Sequence, residues 1–224
     1  VITVHEFMVT CLTVLPDGRI ASGSADGSIH LTDLQTKSTE SIIDRLGWVE
    51  CLAAFSDGRI VLGCDDGIVR IRDPKTQTTE TMSVHESLVA SLAVLFDGSV
   101  VSGSEDKTMR LWNPQTGKSE TLIEHECGVR SLATLSDGRV VTGNDHGTVL
   151  LWNPQKQERA AEMGIKHESK VNCLAAFPDG RVVSCSEDKT VRLWDWDPQT
   201  QTLDHETIEY DGDGSVNCLA VFRD

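Results

Sequence analysis

The chain has 224 residues, of which 39% are hydrophobic and 5% aromatic, and its formal net charge is -15 at pH 7. The acidic balance argues against nucleic acid and anionic membranes as partners, because both present phosphate groups, and it suits partner proteins or peptides with basic segments. No apolar stretch approaches the roughly 18 residues that a membrane-spanning helix requires, so we expect no membrane insertion.

Five of the Asp-Gly dipeptides divide the chain at almost constant spacing. They begin at Asp17, Asp57, Asp97, Asp137 and Asp179, so the interval is 40 residues three times and then 42. Regular spacing of about 20 to 50 residues is typical of repeat proteins in which each unit is one supersecondary element. Asp-Gly between apolar runs favours a hairpin turn, because glycine readily adopts the positive φ that such turns require.

Each unit is predicted to contain four short strands, as the third unit illustrates. Its strand-like segments are Val89–Leu95, Ser99–Gly103, Thr108–Trp112 and Lys118–Ile123. The first is an apolar run, the third alternates between apolar and polar residues, and the fourth is polar. Turn-forming residues separate them, and no segment has a convincing helical period. We therefore predict an all-β fold, a β-propeller of four-stranded antiparallel blades.

The phase of the repeat sets the expected blade boundaries. Five complete blades are expected at approximately 5–44, 45–84, 85–124, 125–166 and 167–210. A partial blade would combine residues 1–4 with residues 211–224. Residues 1–4 would supply its fourth strand (strand d) at the N-terminus, and residues 211–224 contain its first strand (strand a) at the C-terminus. Because this ring does not close, we expect a single propeller domain over 1–224 that is an excerpt of a longer chain. The unclosed edge would suit self-association.

The seven cysteines follow the repeat and match no metal-binding spacing. One repeated position holds Cys11, Cys51, Cys173 and Cys218, with Ser91 and Ser131 in the other copies. This exchange is typical of a small buried side chain, so we expect neither a disulfide, nor a metal site, nor a cofactor. Free buried thiols indicate a reducing compartment, and we expect a cytoplasmic location, with the nucleus as an alternative.

Tryptophan motifs at the end of the third strand point to a known repeat type. The motif reads Leu193-Trp194-Asp195 in the fifth unit, and Trp112-Asn113 and Trp152-Asn153 in the third and fourth. With these motifs in phase, the whole chain resembles the WD40-repeat family. In that family a hydrogen-bonded tetrad of His, Ser or Thr, Asp and Trp locks each blade. The resemblance implies two complete tetrads, His85, Ser102, Asp106 and Trp112, and His167, Ser184, Asp188 and Trp194.

The other three units depart from this tetrad pattern. The fourth has His125, Thr142 and Trp152, but His146 replaces the aspartate. The first has His5, Ser22 and Asp26, but Thr32 replaces the tryptophan. The second keeps Asp66 alone, with Arg45, Leu62 and Arg72 at the other places. We therefore expect blades one and two to be the least rigid.

The residues that could be taken for catalytic groups all lie at positions that recur with the repeat. The histidines recur at a constant spacing from aspartates, which indicates a structural role. Ser104–Lys107 and Ser186–Lys189 match a Ser-x-x-Lys pattern, but that motif requires a helix and these segments are predicted turns. P-loop, Gly-x-Ser-x-Gly and His-Glu-x-x-His motifs do not occur in the sequence. We expect no enzymatic activity from this chain.

Repeated acidic residues are the first candidate for partner binding. They immediately precede the tetrad aspartate position, at Asp65, Glu105, Asp145 and Glu187, with Ala25 as the exception. Propeller symmetry would set them in a ring on one face, where the negative potential favours Lys or Arg. The alternative is that these carboxylates serve solubility.

Trp48, just before the first strand of blade two, is the second candidate. Its equivalents in the other units are Met8, Leu88, Gly128, Lys170 and Ser215. The segment Trp48–Cys51 looks like a loop of G protein β subunits, in which a tryptophan lies on the partner-binding face. An exposed tryptophan is a typical hot spot of protein interfaces. The alternative is that Trp48 packs against the turns of its own blade.

These observations favour a non-enzymatic scaffold for protein–protein interaction, bound on one propeller face through Trp48, Met8, Leu88, Lys170 and the repeated acids. The alternative is a regulatory or sensor module of a larger enzyme, such as an NTPase, kinase or ubiquitin ligase, whose catalytic domain is absent from this chain. Sequence beyond Val1 and Asp224 would separate the two hypotheses.

Overall fold

The computed structural model describes residues 5–43, 47–154, 158–162, 166–197, 202–209, 214–219 and 221. Within these ranges the regular elements are 20 β-strands in five sheets of four strands each. Neighbouring strands pair antiparallel and in chain order, so the predicted all-β fold with four-stranded blades is confirmed. No helix among these residues is long and apolar enough to cross a membrane.

The strand bounds follow the predicted repeat. Blade one contains β1 (Val9–Val14), β2 (Ile20–Ser24), β3 (Ser28–Asp33) and β4 (Ser38–Ile43). Blade two contains β5 (Val49–Ala54), β6 (Ile60–Cys64), β7 (Ile68–Asp73) and β8 (Thr78–Val84). Blade three contains β9 (Val89–Val94), β10 (Val100–Ser104), β11 (Thr108–Asn113) and β12 (Lys118–Glu124). Blade four contains β13 (Val129–Thr134), β14 (Val140–Asn144), β15 (Val149–Asn153) and β16 (Glu158–Glu162). Blade five contains β17 (Val171–Ala176), β18 (Val182–Ser186), β19 (Thr190–Asp197) and β20 (Thr202–Glu209).

The predicted partial blade lies only partly within the described residues. Residues 214–219 contact β17, where Nδ2 of Asn172 donates to the carbonyl oxygen of Val216 at 3.0 Å and to Oδ1 of Asn217 at 3.1 Å. The predicted N-terminal strand, residues 1–4, falls outside the described residues, as do 210–213 and 222–224.

The chain divides into two compact units. The first consists of Val1–Asp106 and Arg110–Thr121, and the second of Lys107–Met109 and Leu122–Asp224. Blades one and two and most of blade three therefore belong to the first unit, whereas blades four and five belong to the second. The prediction of a single domain over 1–224 stays a prediction.

Glycine–valine contacts join successive blades within each unit. Gly23 of β2 faces Val49 at the start of β5, and a Cβ at Gly23 would lie only 2.6 Å from Cγ1 of Val49. The same close approach joins Gly63 to Val89 and Gly143 to Val171. Because no side chain fits there, glycine is required at these three positions. The valines are buried as a result, with Val49 only 1% exposed.

The five Asp-Gly turns have the geometry that the repeat predicts. Their glycines adopt positive φ, between 82° at Gly98 and 95° at Gly180. In blade three the N–H of Leu95 donates to the carbonyl of Ser99 at 2.8 Å, and the N–H of Gly98 donates back to Leu95 at 3.0 Å. This pattern closes a tight hairpin at the end of the first strand.

Candidate functional site

In blade three, four side chains form one continuous hydrogen-bonded chain. Nε1–H of Trp112 donates to Oγ of Ser102 at 2.7 Å, and that oxygen lies 2.6 Å from Nε2 of His85. Nδ1 of His85 lies 2.8 Å from Oδ2 of Asp106, which also accepts the N–H of Glu86 at 2.9 Å. One arrangement satisfies every donor: indole to serine, serine hydroxyl to Nε2, and Nδ1–H to the carboxylate. It requires a neutral imidazole.

Blade five repeats this chain. Nε1–H of Trp194 donates to Oγ of Ser184 at 2.7 Å, and that oxygen lies 2.7 Å from Nε2 of His167. Nδ1 of His167 lies 3.0 Å from Oδ2 of Asp188, and the hydroxyl of Thr190 donates to Oδ1 of Asp188 at 2.7 Å. The structure thus brings together each of the two sets of residues that the resemblance implies.

Burial governs the protonation of both histidines. It lowers the pKa of His85 and the pKa of His167 below their usual value, and their aspartate partners offset only part of this effect. Burial alone would raise the pKa of Asp188, but hydrogen bonds from Thr190, the N–H of Glu168 and His167 outweigh it and lower the pKa to about 2. At neutral pH a neutral imidazole therefore faces a charged carboxylate, which is a stable structural arrangement.

Blade one keeps the histidine but changes its partners. Nε2 of His5 lies 2.7 Å from Oγ of Ser22, whereas Nδ1 lies 2.8 Å from Oγ of Ser28. Asp26, at the expected position, is 3.8 Å from Nδ1, beyond hydrogen-bond distance. The ring of His30 stacks on His5 with centroids 3.9 Å apart. In blade one the ring of His5 is therefore held by hydrogen bonds with Ser22 and Ser28 and by stacking on His30.

In blade four the tetrad lacks a hydrogen bond that the sequence did not lead us to expect missing. Oγ1 of Thr142 is buried and has no hydrogen-bond partner among the described residues, so the buried Trp152 does not donate to it. The adjacent turn is stabilised by Asn144, whose Oδ1 accepts the N–H of His146 at 3.0 Å and of Thr148 at 2.9 Å. Departures from the tetrad hydrogen bonds are thus not confined to blades one and two.

Blade two replaces the tetrad by an ion pair. Nη2 of Arg70 lies 2.6 Å from Oδ2 of Asp66, and Nη1 donates to Oδ1 at 3.1 Å. Leu62, at the serine position, and Arg72, at the tryptophan position, are both buried. Arg45 falls outside the described residues. The sequence pattern gave no sign of Arg70, because it occupies no tetrad position.

Trp48 and Asp65, both predicted to bind a partner, are joined by two hydrogen bonds. The N–H of Asp65 donates to the carbonyl of Trp48 at 3.0 Å, and Oδ1 of Asp65 accepts the N–H of Trp48 at 2.8 Å. Gly47 precedes them with a φ of 100°, and a Cβ there would lie 2.6 Å from Oδ1 of Asp65. The loop is held in place while the indole side chain remains exposed, so packing of Trp48 into its own blade is not observed.

The same backbone contact recurs in all five blades. In each, the residue before the tetrad aspartate position donates its N–H to the carbonyl of the residue that precedes the first strand. The donor–acceptor pairs are Ala25–Met8, Asp65–Trp48 and Glu105–Leu88 in the first unit, and Asp145–Gly128 and Glu187–Lys170 in the second. Within every blade the structure therefore places the two candidate positions side by side.

Two of the four repeated acids are neutralised inside the second unit. Oδ1 of Asp145 lies 2.7 Å from Nε of Arg130, and Oε1 of Glu187 lies 2.9 Å from Nζ of Lys170. Lys170 is thus an ion-pair partner of its acid. Asp65 has no ion pair among the described residues and accepts only the backbone N–H of Trp48. These pairs weaken the negative potential that the repeated acids alone predict.

Large apolar side chains are exposed at the same end of blades one and two. The exposed fractions are 68% for Phe7, 71% for Met8 and 56% for Trp48. A hydrogen bond from the hydroxyl of Thr10 to the carbonyl of Val49 joins the strands that follow, so the two loops are neighbours. We call Phe7, Met8 and Trp48 the Trp48 patch. Leu88, the equivalent in blade three, is only half-exposed.

A concave feature lies in the second unit. An open cavity is lined by Asp145, His146 and residues 166–169. Its lining is polar and charged, and it carries no apolar anchor comparable to Trp48. In the part of the chain that the structure describes, no group of three or more His, Cys, Asp and Glu side chains could hold a metal ion.

The cysteines of the repeated position differ in exposure. Cys51 is buried, Cys11 and Cys173 are half-buried, and Cys218 is exposed, unlike the buried side chain expected there. The neighbouring residues 220 and 222–224 fall outside the described residues. Burial raises the pKa of Cys11 to about 11, which keeps this thiol protonated and unreactive at neutral pH.

Comparison with known proteins agrees with the repeat. The family profile of WD40, described as WD domain, G-beta repeat, matches residues 1–33, 41–73, 76–113, 117–153 and 163–195. The chain therefore belongs to the WD40-repeat family, and its blades are those of a WD40 β-propeller. The comparison with curated proteins gave no match. Domains of this family generally serve as non-catalytic modules for protein–protein interaction.

Proposed function

We propose that this chain is a protein-interaction module that binds its partner through the Trp48 patch. The observation that carries the proposal is the exposed indole of Trp48 on a loop that Asp65 and Gly47 hold in place. Tryptophan is enriched among the residues that dominate interface energies. A loop that is already ordered loses little conformational entropy on binding, so more of the contact energy appears as affinity.

The chemistry of the patch defines the partner. Phe7 and Met8 extend the apolar surface around the indole, and exposed apolar clusters typically mark interaction sites. Asp65 adds a negative charge that no cation of the described residues neutralises. We therefore propose a partner segment in which an apolar or aromatic side chain covers Trp48 and a Lys or Arg lies beside Asp65.

Binding kinetics with matched variants test this proposal. The partner is captured from a cell extract on the immobilised chain, purified, and measured at two salt concentrations. Trp48→Ala should raise the dissociation rate by a factor equivalent to about 2 kcal/mol or more, because it removes the anchor. Asp65→Asn preserves the amide-to-Oδ1 bond but removes the charge, so it should slow association and flatten its salt dependence.

Leu34→Ala is the control, because Leu34 is as exposed as Trp48, at 56%, but lies in the turn between β3 and β4. Its kinetics should equal those of the wild type. If Trp48→Ala and Asp65→Asn also leave both rates unchanged, the partner binds elsewhere and the proposal is wrong.

A further inference from the structure

A cavity of about 390 Å³ lies at the other end of the strands of the first unit, away from the Trp48 patch. Its wall is formed where β1, β5 and β9 end, by residues 14–16, 54–56 and 94–96 together with Gly98. Val14 and Phe96 are among the most exposed large apolar side chains, at 67% and 84%. β5 separates this cavity from Trp48 by its full length, roughly 20 Å for six extended residues.

The turn of blade three differs from the other four at this cavity. Four Asp-Gly turns are followed by arginine, and Nε of that arginine binds the aspartate of the same turn. The pairs are Arg19–Asp17, Arg59–Asp57, Arg139–Asp137 and Arg181–Asp179, at 2.6–2.8 Å. In blade three the residue is Ser99, which offers Asp97 only its backbone N–H, at 2.9 Å.

Two consequences follow for blade three. Asp97 keeps a negative charge that no ion pair of the described residues neutralises. The residue before it is Phe96, where the other turns have Pro16, Ser56, Ser136 and Pro178. An exposed aromatic ring and a carboxylate without an ion pair in the described residues thus stand next to each other at the rim of a cavity lined mainly by apolar residues.

The other charged side chains near the cavity have partners within the first unit. Arg59 binds Asp57 and lies over the ring of Phe55 at 4.9 Å. Arg19 binds Asp17 and lies 3.7 Å from Glu40. Nζ of Lys75 donates to the carbonyl oxygen of Asp57 at 3.3 Å. Of the three turns that border the cavity, only that of blade three has an acid without a basic partner in the described residues.

We propose that this cavity, with Phe96 and Asp97 at its rim, is a second docking site, which binds a peptide segment carrying an apolar side chain next to a Lys or Arg. The apolar side chain enters the cavity against Val14 and Phe55 and is covered by Phe96. The cationic side chain pairs with Asp97. The site is independent of the Trp48 patch, so one chain can hold two partner segments at opposite ends of its strands.

Fluorescence anisotropy with a labelled peptide, Lys-Leu-Lys-Leu-Lys, tests this proposal on the full chain. Lys-Ser-Lys-Ser-Lys lacks the apolar side chains and Glu-Leu-Glu-Leu-Glu lacks the cations, and each should bind about tenfold more weakly or worse. Phe96→Ser places in blade three the residue of blades two and four, and should weaken binding of the first peptide by a similar factor. Ser99→Arg restores the arginine of the other four turns and should weaken binding by neutralising Asp97.

These titrations are made in the Trp48→Ala background, because the Trp48 patch suits the same peptide chemistry, and binding of Lys-Leu-Lys-Leu-Lys should persist there. Amide shifts of the ¹⁵N-labelled Trp48→Ala chain should change around Phe96 and Asp97 on titration with this peptide. Absence of binding, equal binding of a control peptide, or wild-type affinity in both Phe96→Ser and Ser99→Arg would overturn the proposal. Loss of binding in Trp48→Ala alone would assign the peptide to the other face.

Discussion

Arg70 donates two hydrogen bonds to the carboxylate of Asp66, with its two terminal nitrogens 2.6 Å and 3.1 Å from the two oxygens. The two residues are four positions apart, on the third strand of blade two and on the turn before it. In blades three and five the aspartate of this turn binds a histidine instead. Blade two thus preserves the anchoring of its turn with different chemistry.

We expect Asp66→Asn to lower the free energy of unfolding by about 1–3 kcal/mol, because it leaves the charge of Arg70 without its partner. The Arg70 side chain is only 7% exposed, so water replaces the lost bonds poorly. Urea denaturation measures the effect. Asp57→Asn is the control, because its pair with Arg59 is exposed and should contribute about 0.5 kcal/mol or less. Equal losses in the two variants would contradict this assignment.

The indole hydrogen bonds of blades three and five should contribute measurably to stability. Trp112→Phe and Trp194→Phe each remove an N–H donor that binds a buried serine oxygen, so we expect a loss of about 1–3 kcal/mol. Trp152→Phe loses the same ring volume in blade four, where the tryptophan does not donate to Thr142. Its loss should be smaller, and thermal unfolding of the three variants compares them. Three equal losses would mean that ring volume alone matters.

Thr142→Val should be neutral or stabilising by up to about 1 kcal/mol, because it removes a buried hydroxyl that has no partner and keeps the side-chain shape. Ser184→Ala, at the equivalent position of blade five, should destabilise, because Trp194 and His167 both lose their partner. Urea midpoints of the two variants should therefore move in opposite directions or differ clearly. A destabilised Thr142→Val would show that this hydroxyl has a role in blade four.

The repeat predicted the blades well because its signals are local. The Asp-Gly turns depend on glycine φ and on a hydrogen bond that the aspartate accepts from the N–H two residues later, both set within five residues of chain. The third-unit strand bounds were predicted to within one residue for the same reason. The two complete tetrads follow from register once the strands pair, because pairing places residues 17 and 21 positions apart in contact.

Where a tetrad residue is substituted, the register alone does not predict which contacts replace it. Arg70 reaches back to Asp66 because its long side chain is directed by the strand and not by the tetrad spacing. Asn144 serves the turn of blade four from a position that holds serine in blade three. The pairing of Asp145 with Arg130 depends on where a side chain of β13 points relative to the next turn. In each case a side chain has several possible partners within reach. The spacing of residues along the sequence does not specify which of them it contacts.

Acid should destabilise this protein in two steps, because buried groups of the tetrads resist protonation. The pKa of His85 and the pKa of His167 are lowered by burial, so in the folded state these residues take up protons at a lower pH than the unfolded value of about 6.5. Below that pH the unfolded chain binds more protons, and stability falls as the pH falls. The pKa of Asp188, lowered to about 2, adds a second loss below about pH 4 for the same reason.

The free energy of unfolding, measured in urea at pH 7.5, 5.5 and 4, should therefore decrease at each step, with a slope of at most about 1.4 kcal/mol per pH unit for each histidine. His167→Gln removes one of the histidines whose pKa is lowered, so its loss between pH 7.5 and 5.5 should be smaller than that of the wild type, although its stability at pH 7.5 is lower. Leu34→Ala is the control, because it changes an exposed side chain that carries no titratable group and should leave the slope unchanged. Stability that rises or stays constant between pH 7.5 and 5.5 would mean that the tetrad histidines are already charged in the folded protein, and the neutral hydrogen-bonded chain from Trp194 to Asp188 would then be wrong.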